Sequence, residues 1–331
     1  MISYISRLAS SLLRVGDVGE STHTVFPTLV FPGEKMSLNS NNHSEISKFD
    51  ALLPRDMARK VESVGIQKAE ADTISTLVLA ILAGAFISLG AVFATTVTTG
   101  AGELPYGLVK LLGGISFCLG LILVIVAGAE LFTGNNLIVM AWASKRVRTK
   151  AMLRNWILVY FGNFIGAVGT ALLMFFSGQY RFGSSSVGLT AIKIALTKCQ
   201  LEWGEALILG VMCNALVCLA VWLCFSARTT TDRILAIIFP ISAFVASGFE
   251  HCVANMYFVP FGLLIKNMAG TDFWIQAGTS PGAFQSLNLI QFLMGNLLPV
   301  TLGNIFGGAG MVGLIYWFIY IRAGQKTKEE G

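Results

Sequence analysis

The chain has 331 residues, of which 54% are hydrophobic and only 12% are charged, whereas soluble domains carry about 25% charged residues. The mean hydropathy of +0.70 agrees with this composition, and together they predict an integral membrane protein. The net charge of +5 does not indicate nucleic-acid binding, because the basic residues lie between apolar runs. The six cysteines show neither metal-ligand spacing nor a disulfide framework, so no metal site or other cofactor is predicted.

Residues 1–48 are polar and mixed, and we expect a flexible amino-terminal extension without a signal peptide. Met36 precedes a polar stretch and is an alternative start of the chain. From Phe49 to about Ala71 the pattern is amphipathic, which predicts a helix on the cytoplasmic membrane surface or packed under the bundle. A membrane domain is predicted over residues 49–322, followed by a cytoplasmic tail, residues 323–331.

Six apolar spans follow the amphipathic segment, and a membrane helix needs about 20 apolar residues. The second, fifth and sixth spans are too long for one simple crossing, and the second and fifth contain polar residues near the middle. We therefore predict an all-α fold with six transmembrane helices, of which helices 2 and 5 are broken. The spans are 73–98, 107–144, 151–178, 204–226, 234–268 and 287–321.

Lysine and arginine are concentrated in the loops after the second and fourth spans and in the tail. Short loops rich in these residues face the cytoplasm. This distribution predicts a multi-pass protein of the inner (cytoplasmic) membrane with both termini in the cytoplasm.

An internal repeat relates the third and sixth spans. Asn155-Trp-Ile-Leu-Val-Tyr-Phe-Gly-Asn-Phe-Ile-Gly and Asn296-Leu-Leu-Pro-Val-Thr-Leu-Gly-Asn-Ile-Phe-Gly share five identities in register. The pairs Glu130/Asn135 and Glu250/Asn255 also share a spacing of five, each within a broken span. Three crossings per half reverse the second half in the membrane, so the pattern predicts an inverted 3+3 repeat with its site near the midplane.

Two polar interruptions carry the candidate chemistry. The first runs from Glu130 to Asn136 and includes Thr133, and the second runs from Gly248 to Asn255. His251 is the one histidine in the apolar body, because the other two lie in the amino-terminal extension. An ionisable residue at membrane depth indicates a functional site, and the ends of half-helices can attract an anion. The alternatives at this point are a buried histidine that only packs between helices and a threonine that only caps a half-helix.

The two interruptions, together with Tyr160-Phe-Gly-Asn-Phe-Ile-Gly and Pro299-Val-Thr-Leu-Gly-Asn-Ile-Phe-Gly-Gly, resemble the formate/nitrite transporter family and are most similar to its bacterial formate channels. The resemblance runs from about Phe49 to Arg322 and implies an aquaporin-like protomer, a homopentamer with one pore per protomer, and two apolar constrictions around a central histidine. It departs after Thr133. This chain reads Gly134-Asn135-Asn136 where formate channels have Ser-Thr, and Gly-Asn is common in nitrite and hydrosulfide members.

The resemblance also implies roles for particular residues. The central histidine is His251, and its partner on the first interruption is Thr133. One constriction corresponds to Leu131 and Phe244, with Leu121 and Phe132 as further constriction candidates. The remaining positions are polar pore residues, a vestibule lysine and the neighbours of the histidine, namely Asn214, Asn304, Lys198, Glu250 and Asn255.

The predicted function is a channel for formate and related small monovalent anions, passive or proton-linked, with membrane lipid around the protein. A nitrite or hydrosulfide channel is the alternative within the family. A neutral-solute channel should lack a central titratable residue, so His251 argues against it. An enzyme or an ATP-driven pump is not expected, because the sequence has no nucleophile–base pair, no paired catalytic carboxylates and no nucleotide-binding glycine loop.

Overall fold

A computed structural model describes residues 50–322, and every regular element in this range is a helix. The predicted extension, 1–48, and the predicted tail, 323–331, lie outside the described residues. The helices in chain order are α1 (Pro54–Glu70), α2 (Thr73–Thr98), α3 (Tyr106–Ala127), α4 (Phe132–Asn135), α5 (Val139–Ala143), α6 (Thr149–Phe176), α7 (Ser186–Cys199), α8 (Trp203–Ser226), α9 (Thr230–Ala246), α10 (Cys252–Met268) and α11 (Thr271–Ala277). A last span, Gln291–Tyr320, combines α12 (Leu298–Ile305) and α13 (Ile315–Tyr320) with π-helical segments Gln291–Leu297 and Phe306–Leu314.

Five helices in the described range are long and apolar enough to cross a membrane, namely α2, α3, α6, α8 and the last span. The predicted breaks are confirmed, since α3 and α9 both end in mid-span and new helices begin at Phe132 and Cys252. α10 passes as a span only together with α11, from which it is bent by 110°. The fifth predicted span is therefore built from two helices, α9 and α10.

Acidic side chains at helix starts explain where the long helices begin. Asp72 accepts a hydrogen bond of 2.9 Å from the backbone N–H of Ser75 at the start of α2. Hydrogen bonds from the Ser75 backbone and side chain hold the pKa of Asp72 below its ordinary value. Glu202 and Glu205 form the corresponding capping box at the start of α8. Both helices thus begin on a carboxylate that satisfies free backbone N–H groups.

Glycines let the long helices approach each other closely. α2 packs against α6, and α8 packs against the last span. A methyl group at Gly166 would overlap the carbonyl oxygen of Ile81, and one at Gly307 would overlap that of Val211. Small residues at these crossings allow backbone contact that larger side chains would prevent. The third and sixth predicted spans thus use equivalent glycines for equivalent contacts.

Two peripheral helices complete the described fold. The predicted amphipathic helix is α1, which packs under the bundle through Met57, Ala58 and Val61. The segment that carries Lys198 lies between the third and fourth predicted spans, where no helix was predicted. It forms α7, whose small and apolar residues recur at helical spacing and pack against α10.

Candidate functional site

In each broken span, a glycine in the left-handed conformation follows the first half-helix. Gly128 follows α3 with φ 79°, and Gly248 follows α9 with φ 73°. This backbone region is strained for other residues, so glycine is needed to turn the chain at each break. The second residue after each glycine is a glutamate, Glu130 or Glu250, which lies beside the start of the next helix.

Two lysine–glutamate–asparagine clusters hold the breaks in place, and they repeat one arrangement. In the first, Lys68 Nζ donates to Glu130 Oε1 at 2.6 Å and to Asn135 Oδ1 at 3.0 Å. Asn135 Nδ2 donates to Glu130 Oε2 at 2.6 Å and to Asn155 Oδ1 at 2.9 Å. Asn155 Nδ2 in turn donates to the Lys68 carbonyl at 2.9 Å, which closes the cluster.

The second cluster has the same composition. Lys198 Nζ donates to Glu250 Oε1 at 2.8 Å, and Asn255 Nδ2 donates to Glu250 Oε2 at 2.7 Å. Asn255 Nδ2 also donates to Asn296 Oδ1 at 2.7 Å, and Asn296 Nδ2 donates to the Lys198 carbonyl at 2.9 Å. The clusters differ at two atoms: Asn255 Oδ1 has no hydrogen-bond partner among the described residues, and Asn296 Nδ2 also donates to Glu250 Oε2 at 3.2 Å. Buried charges need such partners, so each cluster fixes its break.

A second pair of asparagines satisfies the backbone at the breaks. Asn163 Nδ2 donates to the carbonyls of Ala80 and Glu130, and its Oδ1 accepts from the N–H of Phe132 at 2.9 Å. Asn304 makes the matching bonds to the carbonyls of Gly210 and Glu250 and to the N–H of Cys252. Asn304 is fully buried and bonded to backbone, and its predicted role as a polar pore residue stays a prediction.

His251 and Thr133 are in direct contact between the two breaks. His251 Nε2 lies 3.0 Å from Thr133 Oγ1, and both side chains are buried. His251 Nδ1 accepts a hydrogen bond from the N–H of Ala254 at 3.1 Å. Because Nδ1 is an acceptor, the proton of the neutral ring is on Nε2, which donates to Thr133. A second proton on Nδ1 would oppose the Ala254 N–H.

The Asn214 side chain forms hydrogen bonds to the segment that carries Thr133. Its Nδ2 donates to the carbonyls of Asn304 and Thr133 at 2.7 Å and 3.3 Å, and to Asn136 Oδ1 at 2.8 Å. The thiol of Cys218 also donates to the Thr133 carbonyl at 3.4 Å. Asn214 is completely buried, and its bonds position Thr133; the pore role that the sequence predicted for it stays a prediction.

Two cavities lie beside the breaks, and residues of both halves of the repeat line each of them. The first has a volume of about 330 Å³ and is lined by Lys68, Glu130 and Leu131, among other residues. The second has a volume of about 370 Å³ and is lined by Lys198, Glu250 and His251, among others. Each lysine–glutamate pair therefore lies at the wall of a cavity. Leu131 occupies in the first half the place that His251 occupies in the second, directly after the glutamate.

The predicted constriction residues do not all line the same cavity. Leu131 and Leu121 line the first, whereas Phe244 lines the second and stacks on His251 with ring centroids 6.0 Å apart. The predicted pairing of Leu131 with Phe244 at one constriction stays a prediction. Phe132 lines neither cavity, because its ring packs edge-on against Trp156 and Tyr160.

Sequence reasoning missed the role of Lys68, which it placed only on an amphipathic helix. A signal was present: Lys68 precedes Asp72 by four residues as Lys198 precedes Glu202, and each acid begins the next long helix. In the sequence, Asn155 and Asn296 were identified only as identical residues at equivalent positions of the repeat. Their identity reflects equivalent hydrogen bonds to Asn135 and Asn255.

Comparison with known proteins agrees with this geometry. The sequence profile of the formate/nitrite transporter family matches residues 55–318. The chain is 46% identical to the formate channel FocA of Escherichia coli strain K12 over 274 residues, which cover 83% of this chain and 96% of that one. It is 42% identical to FocA of Haemophilus influenzae, over 81% of this chain and 95% of that one.

Solved structures show the same likeness. A pentameric formate channel with formate bound superposes with a TM-score of 0.73 at 46% identity, covering 76% of this chain and 98% of that one. An FNT family ion channel superposes with a TM-score of 0.67 at 29% identity, covering 80% of this chain and 98% of that one. On these matches and the repeated break geometry, the chain belongs to the formate/nitrite transporter family.

Proposed function

We propose that this protein is a membrane channel for formate, which also passes related small monovalent anions and performs no enzyme chemistry. The observation that supports it most directly is the buried His251–Thr133 contact between two cavities, each with a lysine–glutamate pair in its wall. Relatives that are named formate channels and cover most of the chain give the substrate class. A central imidazole suits a weak-acid anion better than an uncharged solute.

The pathway runs from one cavity past Leu131 and Leu121 to His251, and past Phe244 into the other cavity. A bare charge is costly to move into an apolar environment, so the polar groups must replace the water that the anion loses. Lys68 and Lys198 face the anion as it enters from each side, while the apolar side chains limit hydration of the narrow part. Dewetting at such constrictions is a known means of gating.

At the centre, His251 acts first as a neutral hydrogen-bond donor. Its Nε2–H, which donates to Thr133 in the resting arrangement, turns to a carboxylate oxygen of formate. Transfer of that proton to formate requires Nδ1 to gain one, and this breaks the bond from Ala254. Proton-linked passage as formic acid and passage as the anion paired with an imidazolium both depend on that step.

The repeated clusters also support the arrangement in the membrane. Equivalent lysine, glutamate and asparagine contacts in the two halves fit an inverted repeat, in which the halves face opposite sides. The basic loops support a cytoplasmic position at the inner membrane for both termini and for the mouth of the first cavity. A homopentamer surrounded by lipid, with one pore per protomer, is the assembly we propose.

A nitrite or hydrosulfide channel is the second candidate, because Gly134-Asn135-Asn136 differs from the pattern of formate channels. Asn136 accepts from Asn214, whose Nδ2 also reaches the Thr133 carbonyl, so this substitution affects the segment that carries Thr133. A change here therefore bears on substrate choice more directly than a change elsewhere in the bundle.

Competition in proteoliposomes separates the two candidates. The purified chain is reconstituted, and the fluxes of formate, nitrite and hydrosulfide are measured at equal gradients across a range of pH. We expect formate to move fastest and the other anions to inhibit its flux. Faster movement of nitrite or hydrosulfide than of formate at every pH would contradict the first candidate and support the second.

A further inference from the structure

Basic side chains also lie in the cavity walls outside the two clusters. Lys60 and Arg233 line the first cavity, and Lys110 lines the second. The clustered lysines are bound by carboxylates, with Nζ–O distances of 2.6 Å for Lys68 and 2.8 Å for Lys198. The first cavity thus has two further cations and the second has one.

In the described part of the chain, Lys60 and Arg233 are not paired with carboxylates as the two clustered lysines are. Lys60 is exposed, and its Nζ donates only to the Phe225 carbonyl at 3.4 Å. Within residues 50–322, neither Lys60 nor Arg233 forms an ion pair with a carboxylate. The carboxylate of the neighbouring Asp232 accepts hydrogen bonds from the backbone N–H groups of residues 228 and 229 at the start of α9.

Among the described residues that line the first cavity, Glu130 is the one acidic residue. Its carboxylate already accepts hydrogen bonds from Lys68 and Asn135. The wall of the first cavity therefore carries two cations in addition to one neutralised pair. Clefts with one sign of charge concentrate ions of the opposite sign and raise their rate of entry.

We propose that Lys60 and Arg233 form a capture site for small monovalent anions at the mouth of the first cavity, and that this site makes the two sides of the channel unequal. The inference rests on the proposed anion channel. A passive channel cannot shift the equilibrium between the two sides. The capture site instead lowers the anion concentration that gives half-maximal flux from its own side.

The expected effect follows from Coulomb attraction in water. Two charges about 8 Å from an entering anion raise its local concentration about fivefold at low salt. This attraction is screened as salt increases, because the Debye length falls from about 30 Å at about 0.01 M to about 3 Å at about 1 M. The effect should therefore vanish at high ionic strength.

The test compares formate entry into right-side-out and inside-out membrane vesicles that contain the full chain. The K60Q/R233Q variant should raise the half-saturating formate concentration about threefold to fivefold at low salt, for entry from the first-cavity side only. The variant K110Q should act in the same way, but more weakly, on entry from the other side. The matched control R148Q/K150Q removes two exposed basic side chains that line neither cavity, and K60R/R233K retains both charges; both should behave as wild type.

The inference is overturned if K60Q/R233Q matches R148Q/K150Q, if its effect is equal from both sides, or if the effect persists at high salt. Recovery of wild-type behaviour in K60R/R233K shows that a defect of K60Q/R233Q reflects charge and not folding. Wild-type vesicles without formate flux would contradict the proposed function instead. In that case, the same comparison of wild type and variants, made with nitrite as the transported anion, decides whether the capture site exists.

Discussion

At the scale of single residues, the positions that differ between the two halves of the repeat are those that form the site. The lysine, glutamate and asparagine residues of the clusters are the same in both halves. By contrast, His251 stands where the first half has Leu131, and Thr133 stands where the second half has Val253. The shared residues hold the backbone, and the differing ones supply the central polar pair.

The contact between Thr133 and His251 gives a prediction at this scale. Thr133→Val removes the acceptor of the Nε2–H while it keeps the shape of the side chain. One hydrogen bond contributes about 1 kcal/mol, so we expect formate flux in proteoliposomes to fall about fivefold. Thr133→Ser retains the hydroxyl and should keep most of the flux. Equal loss in the two variants would show that the hydroxyl has no part in transport.

At the scale of elements, the broken helices depend on asparagine side chains that replace backbone partners. Asn163 and Asn304 each bond two carbonyls and one N–H at their breaks. Backbone groups that face apolar surroundings without partners are strongly destabilising in a membrane protein. The breaks are therefore built into the fold as fully bonded turns.

Replacing these asparagines tests that role. Asn163→Ala and Asn304→Ala each leave three backbone groups unpaired, and we expect each to destabilise the protein by about 2 to 4 kcal/mol. The measurement is thermal unfolding of the full chain in detergent. The control, Asn267→Ala, changes an exposed asparagine on α10 and should have little effect. A large loss in only one of the two buried variants would contradict the equivalence of the breaks.

The same elements show which parts of the fold and the site could be predicted from the sequence alone. It predicted both breaks, because Glu130, Glu250 and the glycines interrupt apolar spans, and it paired His251 with Thr133. It did not predict α7, since Lys193 and Lys198 lower the hydropathy of that segment and hide its amphipathic pattern. It also assigned Asn214 and Asn304 to the pore, which stays a prediction, but it did not predict their bonds to the backbone. A buried asparagine that bonds backbone and one that faces a pore look alike in sequence, and only three-dimensional contacts distinguish them.

At the scale of the whole molecule, the proposed homopentamer would carry one complete pathway in each protomer. Both cavities and the His251–Thr133 contact are formed by residues of one chain. The neighbouring copies would then support each protomer without completing its site.

Mixed pentamers test whether the pathways are independent. Wild-type chains and chains with His251→Phe are combined at known ratios and reconstituted, and formate flux is measured. Independent pores predict that flux falls in proportion to the fraction of variant chains. A single pathway shared by all subunits predicts a much steeper fall, because one variant chain would then impair the whole assembly.

The central claim is that His251 is the polar group that formate meets between the two cavities. The most direct measurement is formate flux into proteoliposomes as a function of pH for wild type and His251→Phe. Phe258→Leu, which changes an apolar side chain of the second cavity, serves as the control. We predict that wild type and the control keep a pH-dependent flux and that His251→Phe loses it. An unchanged pH-dependent flux in His251→Phe would remove the histidine from the mechanism.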